Sequence, residues 1–134
     1  MIKNTNQMKN IFLIENNLDD YWLFTEAITR ISDKIAIKCS QDLDNLLKTL
    51  EEEQPCLIFI EYHLPKKNGI DYIKQIKSHP ALTDIPIIMW STTCSLLEIE
   101  KAYDEGAQLY IEKPWSFQEL VGEVKTVLKQ NSMV

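Results

Sequence analysis

The stretch Cys56-Leu-Ile-Phe-Ile-Glu61-Tyr-His-Leu-Pro65 constrains this chain more than any other. A short, continuous apolar run bounded by turn residues fits a strand buried on both faces. Pro55 stands just before it, and Pro65 with Asn68-Gly69 breaks the chain just after. The run stops on a carboxylate, so the chain buries a whole strand to place Glu61 at its C-terminal end. In open α/β sheets that end is where ligands bind and chemistry happens.

Similar runs recur along the chain. Lys9–Ile14 reads as a first strand, followed by the polar turn Glu15-Asn16-Asn17. Asp19 and Asp20 then open a helix, where negative charge suits the positive end of the helix dipole. Leu23, Phe24, Ala27, Ile28 and Ile31 carry its apolar face at helical spacing. Ile35–Cys39 reads as a second strand, and Ser40 as the cap of a helix bearing Leu43, Leu46, Leu47 and Leu50. After the Glu61 strand comes a helix from Gly69 to about His79-Pro80. The fourth strand is expected over Ile85–Trp90, ending on Ser91-Thr92-Thr93. Ser95-Leu-Leu-Glu98 and Ser116-Phe-Gln-Glu119 have the form of capping boxes opening the last two helices. Gly106 closes the first of these as a left-handed cap. Gln108–Ile111 between them is the fifth strand, ending on Glu112-Lys113-Pro114. Residues 1–8 read as a loose tail and 9–131 as one domain, with no linker and no repeat. Strands alternating with helices over this length imply a parallel sheet covered on both faces.

Composition narrows the function classes. Fourteen basic against 20 acidic residues give a net charge of −6, which argues against nucleic acid or an anionic membrane as main partner. No apolar run approaches a membrane span, and the polar N-terminus lacks the core of a secretion signal. The expected location is the cytoplasm. Three widely spaced cysteines, Cys39, Cys56 and Cys94, read as reduced and mostly packed, and two histidines exclude a His-rich metal cluster.

Parallel strands end on one edge, so Glu15 and Asn16, Glu61, Ser91 and Thr92, and Lys113 should share a single crevice. At this point the chain resembles the receiver domains of two-component response regulators. The pieces that carry the resemblance are Ile11-Phe-Leu-Ile-Glu-Asn-Asn17, Leu57-Ile-Phe-Ile-Glu-Tyr-His-Leu-Pro65, Pro86-Ile-Ile-Met-Trp-Ser91 and Gly106-Ala-Gln-Leu-Tyr-Ile-Glu-Lys-Pro114. It implies a doubly wound, flavodoxin-like receiver fold with strand order 2-1-3-4-5 and a cis Lys113–Pro114 bond. It implies that Glu61 occupies the phosphoacceptor position and that Glu15, Asn16 and the backbone carbonyl of His63 occupy the Mg²⁺ positions. Ser91, Thr92 and Lys113 match phosphoryl-contact positions, and Tyr110 matches the switch aromatic.

Two departures stand out: the acceptor is Glu61 where the family has Asp, and the second acidic position holds the neutral Asn16. Glu61 carries its carboxylate out by one C–C bond, about 1.5 Å. A misplacement of about 1 Å costs on the order of a hundredfold in rate. Asn16 removes a charge from a site meant for a hard cation, so Mg²⁺ binding is expected to be weakened. The expectation is a non-enzymatic signalling module that acts by protein–protein interaction. Its partner is a histidine kinase, a downstream effector or a second copy, and the resemblance implies a contact face made by the fourth helix, fifth strand and fifth helix. With the last helix ending near residue 131, no appended DNA-binding or catalytic region is expected.

Glu61 can then imitate a phosphorylated Asp, although with less charge and fewer acceptor oxygens. It can equally leave the chain silent. Two other readings stay open: a working phosphoacceptor that uses Glu61 with Mg²⁺, and a small enzyme with Glu61 as general base. The plain structural reading makes Glu61–Lys113 an ion pair, Asp19 and Asp20 helix-start charges, His63 a loop residue, and Trp90 and Trp115 packing residues.

Overall fold

In the computed structural model, residues 8–40 and 43–134 are described. Five strands alternate with five α-helices: β1 (Lys9–Ile14), α1 (Leu18–Ile31), β2 (Ile35–Cys39), α2 (Leu46–Glu53), β3 (Leu57–Glu61), α3 (Gly69–Lys77), β4 (Ile87–Ser91), α4 (Leu96–Asp104), β5 (Leu109–Glu112) and α5 (Phe117–Gln130). All four strand pairings are parallel, in the order β2-β1-β3-β4-β5. This is the doubly wound arrangement expected above. The tail expected over residues 1–8 falls outside the described residues except for Met8.

The apolar runs are continuous because the sheet is covered twice. Successive side chains of a strand point to opposite faces. One set, with Ile11, Leu13, Leu57, Phe59, Ile88 and Trp90, meets Phe24 and Ile28 of α1 and Leu120, Val124 and Val127 of α5. The alternate set, with Phe12, Ile14, Ile58, Ile60, Ile87 and Met89, meets Leu46 and Leu50 of α2, Ile73 and Ile76 of α3 and Ala102 of α4. Every residue of β3 and β4 is buried. Each fully buried Ile, Leu or Phe contributes roughly 1.5–3 kcal/mol relative to exposure, so the two central strands anchor the sheet.

The helix ends follow their capping residues. Asn17 and Asn68 accept hydrogen bonds from the N–H groups of Asp20 and Asp71, both at 3.0 Å. Ser95 and Ser116 accept from Glu98 and Glu119 at 3.1 Å. Gly106 has φ of +113°, and Ala107 N–H donates to Ala102 O at 2.9 Å, which is a Schellman end. Two local expectations are corrected. The second helix does not open at Ser40: a 3₁₀ turn over Leu43–Asn45 precedes α2, and Asn45 makes no side-chain cap hydrogen bond. The Lys113–Pro114 bond is trans. The intrinsic X–Pro bias is only about 0.5–1 kcal/mol, so the dipeptide itself imposes neither isomer.

Gly69 sets how closely α3 approaches the end of β3. Its N–H donates to Tyr62 O at 2.7 Å. A Cβ there would collide with the Glu61 carbonyl oxygen and lie 2.7 Å from Met89 Cε. Gly69→Ala is therefore expected to destabilise the fold by about 1–3 kcal/mol. A urea midpoint unchanged from the wild type would contradict this.

Candidate functional site

The C-terminal ends of β1, β3, β4 and β5 meet at one edge of the sheet. The register pairs Glu61 with Trp90 and Ser91 with Glu112, while Glu15 directly follows β1. Lys113, just past β5, donates its backbone N–H to Ser91 O at 2.7 Å, which holds the chain against β4 as it leaves the sheet.

Lys113 sends its side chain back across this edge, where it is almost wholly buried. Its ammonium lies 2.6 Å from Glu61 Oε2, 2.8 Å from Asp20 Oδ2 and 2.9 Å from Glu15 Oε2. An ammonium has three N–H groups, and three carboxylates stand around this one. Beneath it lies the Trp90 ring, 4.5 Å from ring centroid to Nζ. Trp90 packs edge-on against Phe24 at 5.4 Å, and Phe24 against Phe59 at 4.7 Å. The apolar layer of α1 thus supports the underside of a charge, a favourable cation–π placement.

Glu61 is 3% exposed and Ser91 is fully buried. Glu61 Oε1 accepts the His63 N–H at 3.0 Å and the Ser91 hydroxyl at 3.3 Å. Glu15 Oε1 accepts the Asn17 N–H at 3.0 Å. Burial of Glu15 pushes its pKa up from the ordinary carboxylate value. The Lys113 hydrogen bond and charge and the Asn17 N–H oppose that shift, and the neighbouring Glu61 charge adds to it. For Lys113, burial pulls the pKa down, but the hydrogen bonds to Asp20 and Glu15 and the close contact with Glu61 outweigh it, and the net shift is upward.

The crevice therefore unites Glu15, Glu61, Ser91 and Lys113, four of the residues read from the sequence. Asn16 and Thr92 are exposed. Asn16 lines a neighbouring hollow of about 330 Å³ with Leu18, Leu43 and Leu64. His63 engages Glu61 through its backbone N–H, and its ring reaches Thr93 Oγ1 at 3.1 Å. Tyr110 packs against the α4 side of the core. Its hydroxyl is buried near Cys94 and Ser91, and burial first, then Cys94 and Glu98, pushes its pKa up.

Sequence reasoning missed Asp20. It occupies the first turn of α1, where a helix-start charge is a sufficient explanation, yet its carboxylate reaches Lys113. The available signal was its position in the first turn of the helix that starts beside Glu15. Trp115 is corrected: it is fully exposed and is no packing residue. Cys56 is exposed as well, while Cys39 and Cys94 are half-buried, and all three are free thiols.

The oxygen donors suit a hard cation in type, but their arrangement does not fit one. The convergent oxygens of Glu15, Asp20 and Glu61 all face the Lys113 ammonium. Among the described residues, no group of three His, Cys, Asp or Glu is placed to hold a metal ion.

Because the folded-state pKa of Lys113 lies above the unfolded value of about 10.4, its pairing stabilises the fold fully below that pH and is lost as pH rises through the folded value. Lys113→Met is expected to cost on the order of 3 kcal/mol at neutral pH, since it leaves buried carboxylates unpaired. Thermal melts of the two proteins should converge above about pH 10.4. A gap that does not narrow there would refute the assignment. Glu15 acts in a separate, acidic window: with its pKa raised, its ionisation costs stability as pH climbs past the ordinary carboxylate value.

The model of the response regulator receiver domain matches residues 11–125. The chain is similar to the phosphate regulon transcriptional regulatory protein PhoB of Escherichia coli (strain K12), at 33% identity over 93 residues, 69% of this chain and 41% of that protein. It is similar to the sensory transduction protein BceR of Halalkalibacterium halodurans, at 31% identity over 129 residues, 92% of this chain and 51% of that protein. The chain thus spans about half or less of the length of these curated relatives. Among solved structures, it resembles the phosphorylated cyanobacterial phytochrome response regulator RcpA, with a TM-score of 0.78, 29% identity and coverage of 91% and 92%. It also resembles a response regulator receiver domain from Rhodospirillum rubrum, with a TM-score of 0.79, 25% identity and coverage of 93% and 94%.

Proposed function

The chain belongs to the response regulator receiver domains of two-component signal transduction, and we propose that it works there without accepting a phosphoryl group, through contact with a protein partner. The observation that carries this is the engagement of both Glu61 oxygens, Oε1 by hydrogen bonds and Oε2 by an ion pair without a hydrogen bond. Its two oxygens already hold the Lys113 ammonium, the Ser91 hydroxyl and the His63 N–H. Phosphoryl transfer depends on positioning and on neutralising charge that spreads over the transferred group. By resemblance, Ser91 and Lys113 are the residues that would supply that neutralisation, and both are engaged by the side chain of Glu61 itself.

The same contacts support a permanently set state. The carboxylate, one methylene longer than Asp, reaches the partners that a phosphorylated Asp would recruit. The buried position of the Tyr110 hydroxyl near Ser91 is in keeping with that reading. The general-base alternative asks for a carboxylate without partners, and Glu61 has three.

A surface for the partner lies on α4, β5 and α5. Leu96, Leu97 and Tyr103 of α4 and Trp115 before α5 are exposed. A groove of about 410 Å³ runs between β5 and α5, bordered by Tyr110, Trp115, Glu119 and Glu123. The partner is a kinase, an effector or a second copy, and the proposed setting is the cytoplasm. Among the described residues no helix is long and apolar enough to cross a membrane.

Incubation with a small acyl phosphate and Mg²⁺, followed by intact-mass measurement, should leave the wild-type mass unchanged. A phosphoryl adduct that disappears in Glu61→Gln would overturn the proposal. The double change Glu61→Asp with Asn16→Asp is expected to gain the adduct, because it shortens the acceptor and restores the missing charge. Affinity capture with wild type, Glu61→Ala and Glu61→Asp as baits should give a partner whose retention depends on Glu61. Identical retention by all three would separate output from this residue.

A further inference from the structure

We propose that Lys113 is the resident cation of a three-acid seat formed by Glu15, Asp20 and Glu61, and that it keeps this seat closed to divalent metal ions. The inference deepens the proposed function, because it assigns the charge balance of the same crevice to the chain itself.

The Lys113 ammonium donates hydrogen bonds to Asp20 at 2.8 Å and Glu15 at 2.9 Å, and it is ion-paired at 2.6 Å with Glu61 Oε2, which accepts no hydrogen bond. The remaining oxygens of the two buried acids also have partners: Asn17 N–H on Glu15, and His63 N–H with the Ser91 hydroxyl on Glu61. A hard divalent ion would have to draw these oxygens from charge-assisted contacts of this length. Mg²⁺ in addition demands near-octahedral geometry and gives up its water reluctantly.

Three features hold the ammonium in place. Its backbone is hydrogen-bonded to β4, its side chain is buried, and its charge rests on the face of Trp90. Asp20 is the decisive residue. Asn16, exposed and outside the cluster, does not supply an acid, and Asp20 brings the third carboxylate from α1 instead. Lys113 thereby ties the start of α1 to the ends of β1 and β3, a link that a chain with only the strand-end acids would lack.

The test uses the metal alone. Wild-type protein, Lys113→Met and Lys113→Met with Asp20→Asn are titrated with MgCl₂ and MnCl₂ by calorimetry and by thermal melting. The wild type should show no saturable binding and no shift in melting midpoint at millimolar metal. Lys113→Met should gain saturable binding and a metal-dependent rise in midpoint. Asp20→Asn in that background should weaken the binding by about tenfold or more, the kind of step set by ligand charge count. Should Lys113→Met fail to fold, the wild type still decides. The ¹⁵N signal of the Lys113 ammonium, assigned by its loss in Lys113→Arg, should be unmoved by MgCl₂.

Saturable Mg²⁺ binding by the wild type, or displacement of that ammonium signal, overturns the inference. So does a folded Lys113→Met that takes up no divalent ion, or an Asp20→Asn change that leaves its affinity untouched. A wild-type chain that binds Mg²⁺ yet gains no phosphoryl group refutes the resident cation and leaves the proposed function standing. A phosphoryl adduct on Glu61 refutes the proposed function on its own.

Discussion

A single buried ammonium organises the functional edge of this protein. Lys113 reaches from beyond β5 to acids at the ends of β1 and β3 and in the first turn of α1, and it rests on an indole from β4. The β1–α1 junction, the end of β3 and the end of β4 are thereby tied at one nitrogen from beyond β5. Buried charge pairs of this kind are weak evidence for net stability, because desolvation cancels much of the attraction. What such a contact does provide is specificity: each acid left without the ammonium would be a buried or half-buried anion, so alternative placements of these loops are disfavoured. The raised pKa of Glu15 shows the cost of keeping acids out of water, and the raised pKa of Lys113 shows that the cluster as a whole favours the cation.

The core beneath explains why this edge is well defined. Strands buried on both faces leave little freedom of register, since a slip by one residue would exchange the α1–α5 layer with the α2–α4 layer. Gly69 then presses α3 against the end of β3, and the aromatic row Phe59, Phe24 and Trp90 carries the packing of α1 up to the charged group. Positioning of the site is thus a property of the packed interior. The polar loops inherit their geometry from it.

Much of this was legible from residues alone, and the reasons are physical. Lys9–Ile14 and Ile35–Cys39 appear as strands with the expected limits, because polar turns bound their apolar runs. The later strands shifted by one or two residues toward the polar side: β4 closes on Ser91 and β5 on Glu112, since parallel pairing continues past the last apolar residue. The caps at Ser95 and Ser116 were readable because each serine opens a capping box, whereas those at Asn17 and Asn68 were not read from the sequence. Asp20 was not readable as a site residue, because one carboxylate in a first helical turn can serve the dipole, a distant ammonium or both. Trp115 and Cys56 show the opposite limit. An apolar residue predicts burial on average, but whether a turn residue faces in or out depends on the neighbouring elements. The matched family added the order of the strands, which spacing leaves open.

The placement of Trp90 has a consequence of its own. Of the chain's three indoles, Trp22 and Trp115 face solvent, whereas Trp90 is buried with a cation over its face. The exposed pair contributes a quenchable background, and the buried ring sits in the local field of the ammonium. The native sequence therefore contains an optical probe of the crevice, whose emission reports whether the charge above it stays or withdraws.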